Sequence, residues 1–298
     1  AGGRILFRTR DQKVTAEVAS GNRLRGSLGE GSFAIWGRTD FDGLLPDSGE
    51  VHLNGASIRI VSPGEFFAVL DPKLKGTFQG LSRPGKEAVA LSGQIALTEG
   101  SYHRNFEIMR QAFSTFTGGR VAERSYQPIT TSFPWLANAA LDIAVTGSRF
   151  GVRSRLPVGS TDLDLAVDLQ VKGTIASPEL WNRIEVLPGG KVYYDVVRRE
   201  FEVVRGTIDF LGAPGRPITD VTARTRIDYS SGSTTQTTTG NRYTESATES
   251  GWEDDAVMVT LRVSGRYPEV DIALTSNSQA LDQTDLKYLL ITGMTPRE

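Results

Sequence analysis

The 298-residue chain has no cysteine, which excludes disulfides, thiolate chemistry and cysteine zinc sites. That absence suits an oxidising compartment, where a stray thiol is a liability. Histidine is nearly missing as well. His52 and His103 are the only two, on separate strand-like segments with no partner signature, so neither reads as half of a catalytic dyad. Charge of one sign is also lacking: 33 Lys and Arg stand against 35 Asp and Glu, and a formal net charge of −2 supplies no reason to expect nucleic acid. Local clusters such as Arg23-Leu24-Arg25 read as solvated strand ends. No apolar run approaches the roughly 20 residues of a membrane-spanning helix, and no secretory signal begins at Ala1. The opening AGGRILFR reads instead as the interior of a longer protein.

Motifs that carry chemistry are scarce. Gly80-Leu81-Ser82-Arg83-Pro84-Gly85-Lys86-Glu87 fits a phosphate loop up to its last position. There Glu87 replaces the hydroxyl that would hold magnesium, and a β-like run follows where a helix should begin, so the segment reads as a turn. Asp162, Asp164 and Asp168 share one strand face but lack the glycine-turn loop of a calcium site, and read as a solvated face. No G-x-S-x-G elbow occurs. Trp36, Trp135, Trp181 and Trp252 read as packing at strand ends. Nothing here predicts an enzyme, a cofactor or a metal.

What the chain does have is alternation. From Thr161 to Val171, Leu163, Leu165, Val167, Leu169 and Val171 point one way, while Asp162, Asp164, Ala166, Asp168 and Gln170 point the other. Successive strand side chains face opposite sides, so this is a ribbon with one apolar and one wet face. Shorter pieces repeat the pattern between turn residues: Ile184 and Val186, Val192 and Tyr194, Phe201 and Val203, Ile208 and Phe210. Leu141, Ile143 and Val145 precede them; Val257, Val259, Leu261 and Val263, then Val270, Ile272 and Leu274, follow. A glycine followed by alternating apolar residues recurs in GEVHL, GEFFAVL, GQIAL and GTIDF, a weak strand-and-turn repeat. The predicted class is therefore all-β and elongated. It divides into repeated ribbons over 1–110, an irregular insertion over 111–140 and further ribbons over 141–298, read as parts of one continuous domain. A Ser/Thr-rich segment at 229–255 has too little apolar surface to order itself and reads as a loop. One short helix is predicted over 281–294, capped by Asp282, with Leu286, Leu289 and Leu290 on one face. Alternation by itself leaves several coverings open for the apolar face: a second sheet or a closed barrel, a transmembrane barrel, a filled stalk, or a ligand.

Two segments share a phrase, VKGTIASPEL (Val171 to Leu180) and VSGRYPEVDI (Val263 to Ile272). With GGKVYYDVVRREFEVVRGTIDF and the ending SNSQALDQTDLKYLLITGM, they make the chain resemble the C-terminal region of the TamB family. TamB is the inner-membrane component of the translocation and assembly module, among the AsmA-like proteins of Gram-negative envelopes. The resemblance is carried by 141–294, and most specifically by Asp285-Leu286-Lys287-Tyr288-Leu289-Leu290 with Gly293. The loop at 229–255 is longer than the family pattern.

The resemblance implies a sheet curled lengthwise into a trough, a β-taco, with an apolar groove. It implies a periplasmic bridge for phospholipid between inner and outer membranes, its parent anchored in the inner membrane outside this fragment. It also implies work with a BamA-like outer-membrane barrel of the TamA type, whose alternative form is barrel-protein assembly by strand or groove binding. The alternating residues named above, from Leu141 to Leu274, become the expected groove lining. Leu286, Leu289 and Leu290 become the expected partner-binding face.

Overall fold

A computed structural model describes residues 3–10, 13–62, 66–83, 85–102, 133–156, 159–195, 198–229, 255–277 and 282–292. The sequence also predicts a strand at Phe106–Met109; it, the 230–254 segment and the helix ends at Leu281 and Met294 lie outside the described residues. The strands are β1 (Leu6–Arg10), β2 (Lys13–Val18), β3 (Leu24–Leu28), β4 (Gly31–Asp42), β5 (Leu45–Ala56), β6 (Ile58–Ser62), β7 (Phe66–Gln79) and β8 (Ala88–Tyr102). A 3-10 turn at Pro134–Asn138 leads into β9 (Ala140–Leu156), β10 (Gly159–Gly173), β11 (Pro178–Val186), β12 (Lys191–Tyr194), β13 (Arg199–Gly212), β14 (Ile218–Tyr229), β15 (Asp255–Arg266) and β16 (Glu269–Ser276). Helix α1 (Gln283–Thr292) ends the described chain.

All 16 strands belong to one long curled mixed sheet. Its path runs β1-β2-β4-β5-β7-β8-β9-β10-β11-β13-β14-β15-β16, and among the described residues β1 and β16 each pair on one side only. Among the described residues the strands thus form one sheet with two edges and no closed barrel, and its two faces are free to differ along its length. Every pairing is antiparallel except β8 with β9, the pair that the long 103–139 connection joins. Parallel neighbours require such a crossover, which explains the irregular stretch in the sequence.

Three short strands lie off the path because a neighbour is broken. β11 and β12 both pair with β10 on one side and β13 on the other, with Pro188-Gly189-Gly190 as a kink inside one interrupted strand. Gly189 N–H donates to the Val203 carbonyl at 2.9 Å and Val203 N–H to that of Gly190 at 2.7 Å, so the kink keeps its backbone satisfied. β5 and β6 likewise share β7 as a neighbour. Pro72, which has no N–H to give, sits in β7 opposite that break, where Ser57 N–H donates to the Asp71 carboxylate at 2.6 Å.

The recurrent glycines have a backbone reason at two positions. Gly37 (φ +156°) and Gly93 (φ +136°, the glycine of GQIAL) lie where a Cβ would strike the carbonyl oxygens of Glu50 and Lys73 on the neighbouring strands. Gly93→Ala is therefore expected to destabilise the sheet by about 2–3 kcal/mol, read as a lower urea midpoint at unchanged slope. A midpoint equal to that of the parent chain would remove this account of the glycine.

Candidate functional site

Strand register decides which residues share a face, and it assembles the alternating apolar residues into rows that cross the strands. One row runs Leu24, Ile35, Leu53, Leu74, Gly93, Ile143, Val171, Leu180 and Gly212. A second runs Leu70, Leu97, Gly147, Val167, Ile184, Ile208, Thr219, Gly265 and Val270. A third runs Phe150, Leu165, Val186, Gly206, Val221, Val263 and Ile272. Leu169 pairs with Val145, which pairs with Ile95, in a shorter row between the first two. Nine strands at about 4.8 Å spacing carry a row for roughly 38 Å. Bulges keep the rows intact: β9 carries one extra residue opposite Leu165–Val167, and β13 one at Val203–Arg205. Each absorbs a residue that would otherwise flip the pattern.

The opposite face is charged, and its charges pair across strands. Arg149 grips Asp164 through Nε and Nη2, both at 2.8 Å. Arg183 grips Asp209 at 2.6 and 3.2 Å, and Arg262 grips Asp220 at 2.9 Å twice. Arg153 reaches Asp162 at 3.2 Å and Lys191 reaches Glu200 at 2.8 Å. Two of the three aspartates weighed for calcium are thus arginine partners, and no metal-binding cluster occurs among the described residues. Hydrogen bonding from Arg262 holds the Asp220 carboxyl below its ordinary value; Thr15 first, then Arg38, does the same for Asp40. A depressed carboxylate stabilises the fold above its unfolded pKa and loses that contribution as pH falls through the folded one. The melting temperature is therefore expected to stay flat from pH 7 to about 5 and to fall only below the ordinary aspartate value of 3.8. A decline already under way near pH 6 would point to other groups.

The apolar face has two zones. At the C-terminal end it is filled: Leu165, Val186, Phe201, Val203, Val257, Val259 and Leu274 join Val152, Ala223 and Ile227 in one buried cluster. Around that cluster and across the N-terminal strands it is half open. Leu141, Val145, Leu163, Val167, Leu169, Val171, Ile184, Val192, Ile208, Leu261, Val263 and Val270 are only partly covered, as are Leu53, Leu70, Leu74, Leu91, Ile95 and Leu97. Ile143 and Phe210 are buried; Tyr194 at the end of β12 is 38% exposed, and Ile272 on the edge strand β16 is 65% exposed. A covering second layer would have buried such residues outright, as the filled end demonstrates.

Helix α1 fills that end. Asp282 caps it, its Oδ1 accepting from Thr284 N–H and Asp285 N–H at 2.8 Å each, while Asp285 accepts from Asp282 N–H at 3.2 Å in a reciprocal box. Leu286, Leu289 and Leu290, expected to face a partner, are buried against the chain's own strands, and Lys287 and Tyr288 face outwards. Burying three leucines stabilises the docked helix by about 5–9 kcal/mol as an upper estimate.

The remaining motifs resolve as structure. The Gly80–Glu87 segment is the β7–β8 turn, where Arg83 N–H donates to the Gly80 carbonyl at 2.9 Å and Gly85 N–H to Glu87 at 2.7 Å. His52 stacks on Trp36, with centroids 5.1 Å apart, and Arg23 lies over the other side of that ring at 4.1 Å. Trp135 meets Phe133 edge-on at 5.9 Å, and the Trp181 indole N–H donates to Glu179 at 3.1 Å. His103 and Trp252 lie outside the described residues. The N-terminal residues Leu53, Leu70, Leu74, Ile95 and Leu97 are not among those the sequence predicts to line a groove, yet they fall in the same rows. Their alternation was visible, but only register places them in the same rows.

A single open sheet with one apolar and one ion-paired face is the frame in which the comparison with known families falls. A family model described as the TamB C-terminal domain matches residues 22–297. The chain belongs to the TamB family. Among curated proteins, the comparison found no match. Membership makes this a bacterial envelope protein and ties it to the translocation and assembly module, a structural and transport module that works with an outer-membrane partner. No helix among the described residues is long and apolar enough to cross a membrane. The TamB match extends over the N-terminal ribbons, beyond the 141–294 stretch in which the sequence phrases occur.

Proposed function

We propose that this TamB domain shields phospholipid acyl chains on the apolar face of its sheet during their passage between inner and outer membranes. The observation that carries the reading is the set of largely apolar rows, partly uncovered, two of which cross nine strands at right angles to their direction. Exposing an acyl chain to water costs about 0.8 kcal/mol per methylene, so roughly 12 kcal/mol for a sixteen-carbon chain. A row removes most of that cost wherever along it the chain sits. One leaflet of a bilayer is about 15 Å deep, so a 38 Å row is more than two chain lengths and suits sliding more than a single seat. The ion-paired face meets the aqueous periplasm, and the headgroup stays in water at the open side. Neither step requires bond chemistry. The parent protein is anchored in the inner membrane outside this segment, and a TamA-type barrel receives the outer end.

The test is chemical extraction of the purified domain followed by mass spectrometry. Phospholipid is expected at about one molecule or more per chain, and its absence from gently purified protein would sink the reading.

A second reading has its own support: among the described residues no strand pairs with the outer edge of β16, and Ile272 there is exposed, which suits capture of an unfolded barrel strand by strand addition. Placing a charge there, Ile272→Lys, should abolish strand capture, and a lysine variant that still captures the strand would remove this second reading.

A further inference from the structure

The filled end of the apolar face is closed by the chain itself, and we propose that α1 is a displaceable plug that competes with acyl chains for that end. This rests on the groove reading and adds a regulation to it. Phe201, Val203, Ile227, Val257 and Val259 share one buried cluster with the α1 leucines and lie on the same face as the half-open rows; this cluster is the seat. Leu261, Val263 and Val221 carry that face onward from the seat into the open zone. Leu286, Leu289 and Leu290 supply branched aliphatic side chains, chemically what an acyl chain would supply. The cap and first-turn hydrogen bonds of Asp282 to Leu286 close within the helix, so these bonds travel with it if it leaves the sheet. A hydrocarbon can therefore replace α1 without stranding those polar groups. While α1 is seated, acyl chains can occupy the half-open rows but not the seat beside them; occupation of the seat by acyl chains and docking of the helix exclude each other.

The test uses the full 298-residue chain and vesicles containing a phosphatidylglycerol with a photoreactive diazirine on one acyl chain. Labelled peptides are mapped by mass spectrometry as lipid is titrated. In the native chain, β10 around Leu169 should label first, and β15 around Val259 only at lipid concentrations at least fivefold higher. In Leu286→Asp/Leu289→Asp the two should label together. Equal labelling in the native chain, or an unlabelled β15 in the variant while β10 labels, would overturn the plug alone. Absence of label on β10 in either protein would overturn the groove reading, and the plug with it. Should the variant not fold, amide exchange of the native chain decides the matter. Protection of α1 should fall over the concentration range that labels β15, and constant protection there rejects the proposal.

Discussion

Val259→Asp should destabilise the C-terminal end of the sheet by about 4 kcal/mol or more, whereas Val259→Ala should cost only about 2 kcal/mol. Val259 is fully buried, with Phe201, Ile227, Val257 and the α1 leucines in the same cluster. The two cross-strand partners of Val259 are Thr225 and Ser276, and their hydroxyls cannot match the hydration a carboxylate has in water. Either the group takes up a proton, paying for its raised pKa, or the helix lifts and water enters. Denaturant melts followed by amide exchange distinguish the two outcomes: local loss of protection in α1, β15 and β16 indicates lifting, a lower global midpoint protonation. A change below about 1 kcal/mol would show that the end of the sheet is not packed as described.

An aspartate placed on β10, four strands from β15 along the sheet, should behave in the opposite manner. Leu169→Asp lies in the half-open zone, between Val145 on β9 and Asn182 on β11. Its stability cost should stay near 1–2 kcal/mol, because the new carboxylate keeps contact with water. Bound phospholipid, however, should fall at least tenfold. An acyl chain lying on that row would have to strip the carboxylate of solvent, and every 1.4 kcal/mol of that penalty is a factor of ten in occupancy. Lipid content equal to that of the parent chain would remove the rows from the transport path. The pair of variants thus separates packing from function: one breaks the fold through a filled core, the other leaves the fold and breaks the passage.

Much of the sheet was legible before any coordinates. A period of two from Leu163 to Val171, with aspartates on the alternate positions, dictates a strand with one apolar face wherever it lies. Asp282 three residues before Asp285 marks a helix start on chemistry alone, and the helix begins there. The β8–β9 parallel pair was not legible, because a long irregular connection announces that a crossover is possible and says nothing about which strands meet. Pro188-Gly189-Gly190 looked like the end of a strand and proved to be a kink within one, since a turn tripeptide cannot reveal that both flanking pieces share the same two neighbours.

Alternation, composition and the absence of cysteine determined that this chain forms ribbons with one apolar and one charged side, since side-chain direction along a strand is a local property of the backbone. Which residues join into continuous rows, and which of those rows are filled, only the tertiary structure decided. Register, bulges and the docking of α1 are set by contacts between segments far apart in sequence, and no local pattern encodes where a distant helix will come to rest.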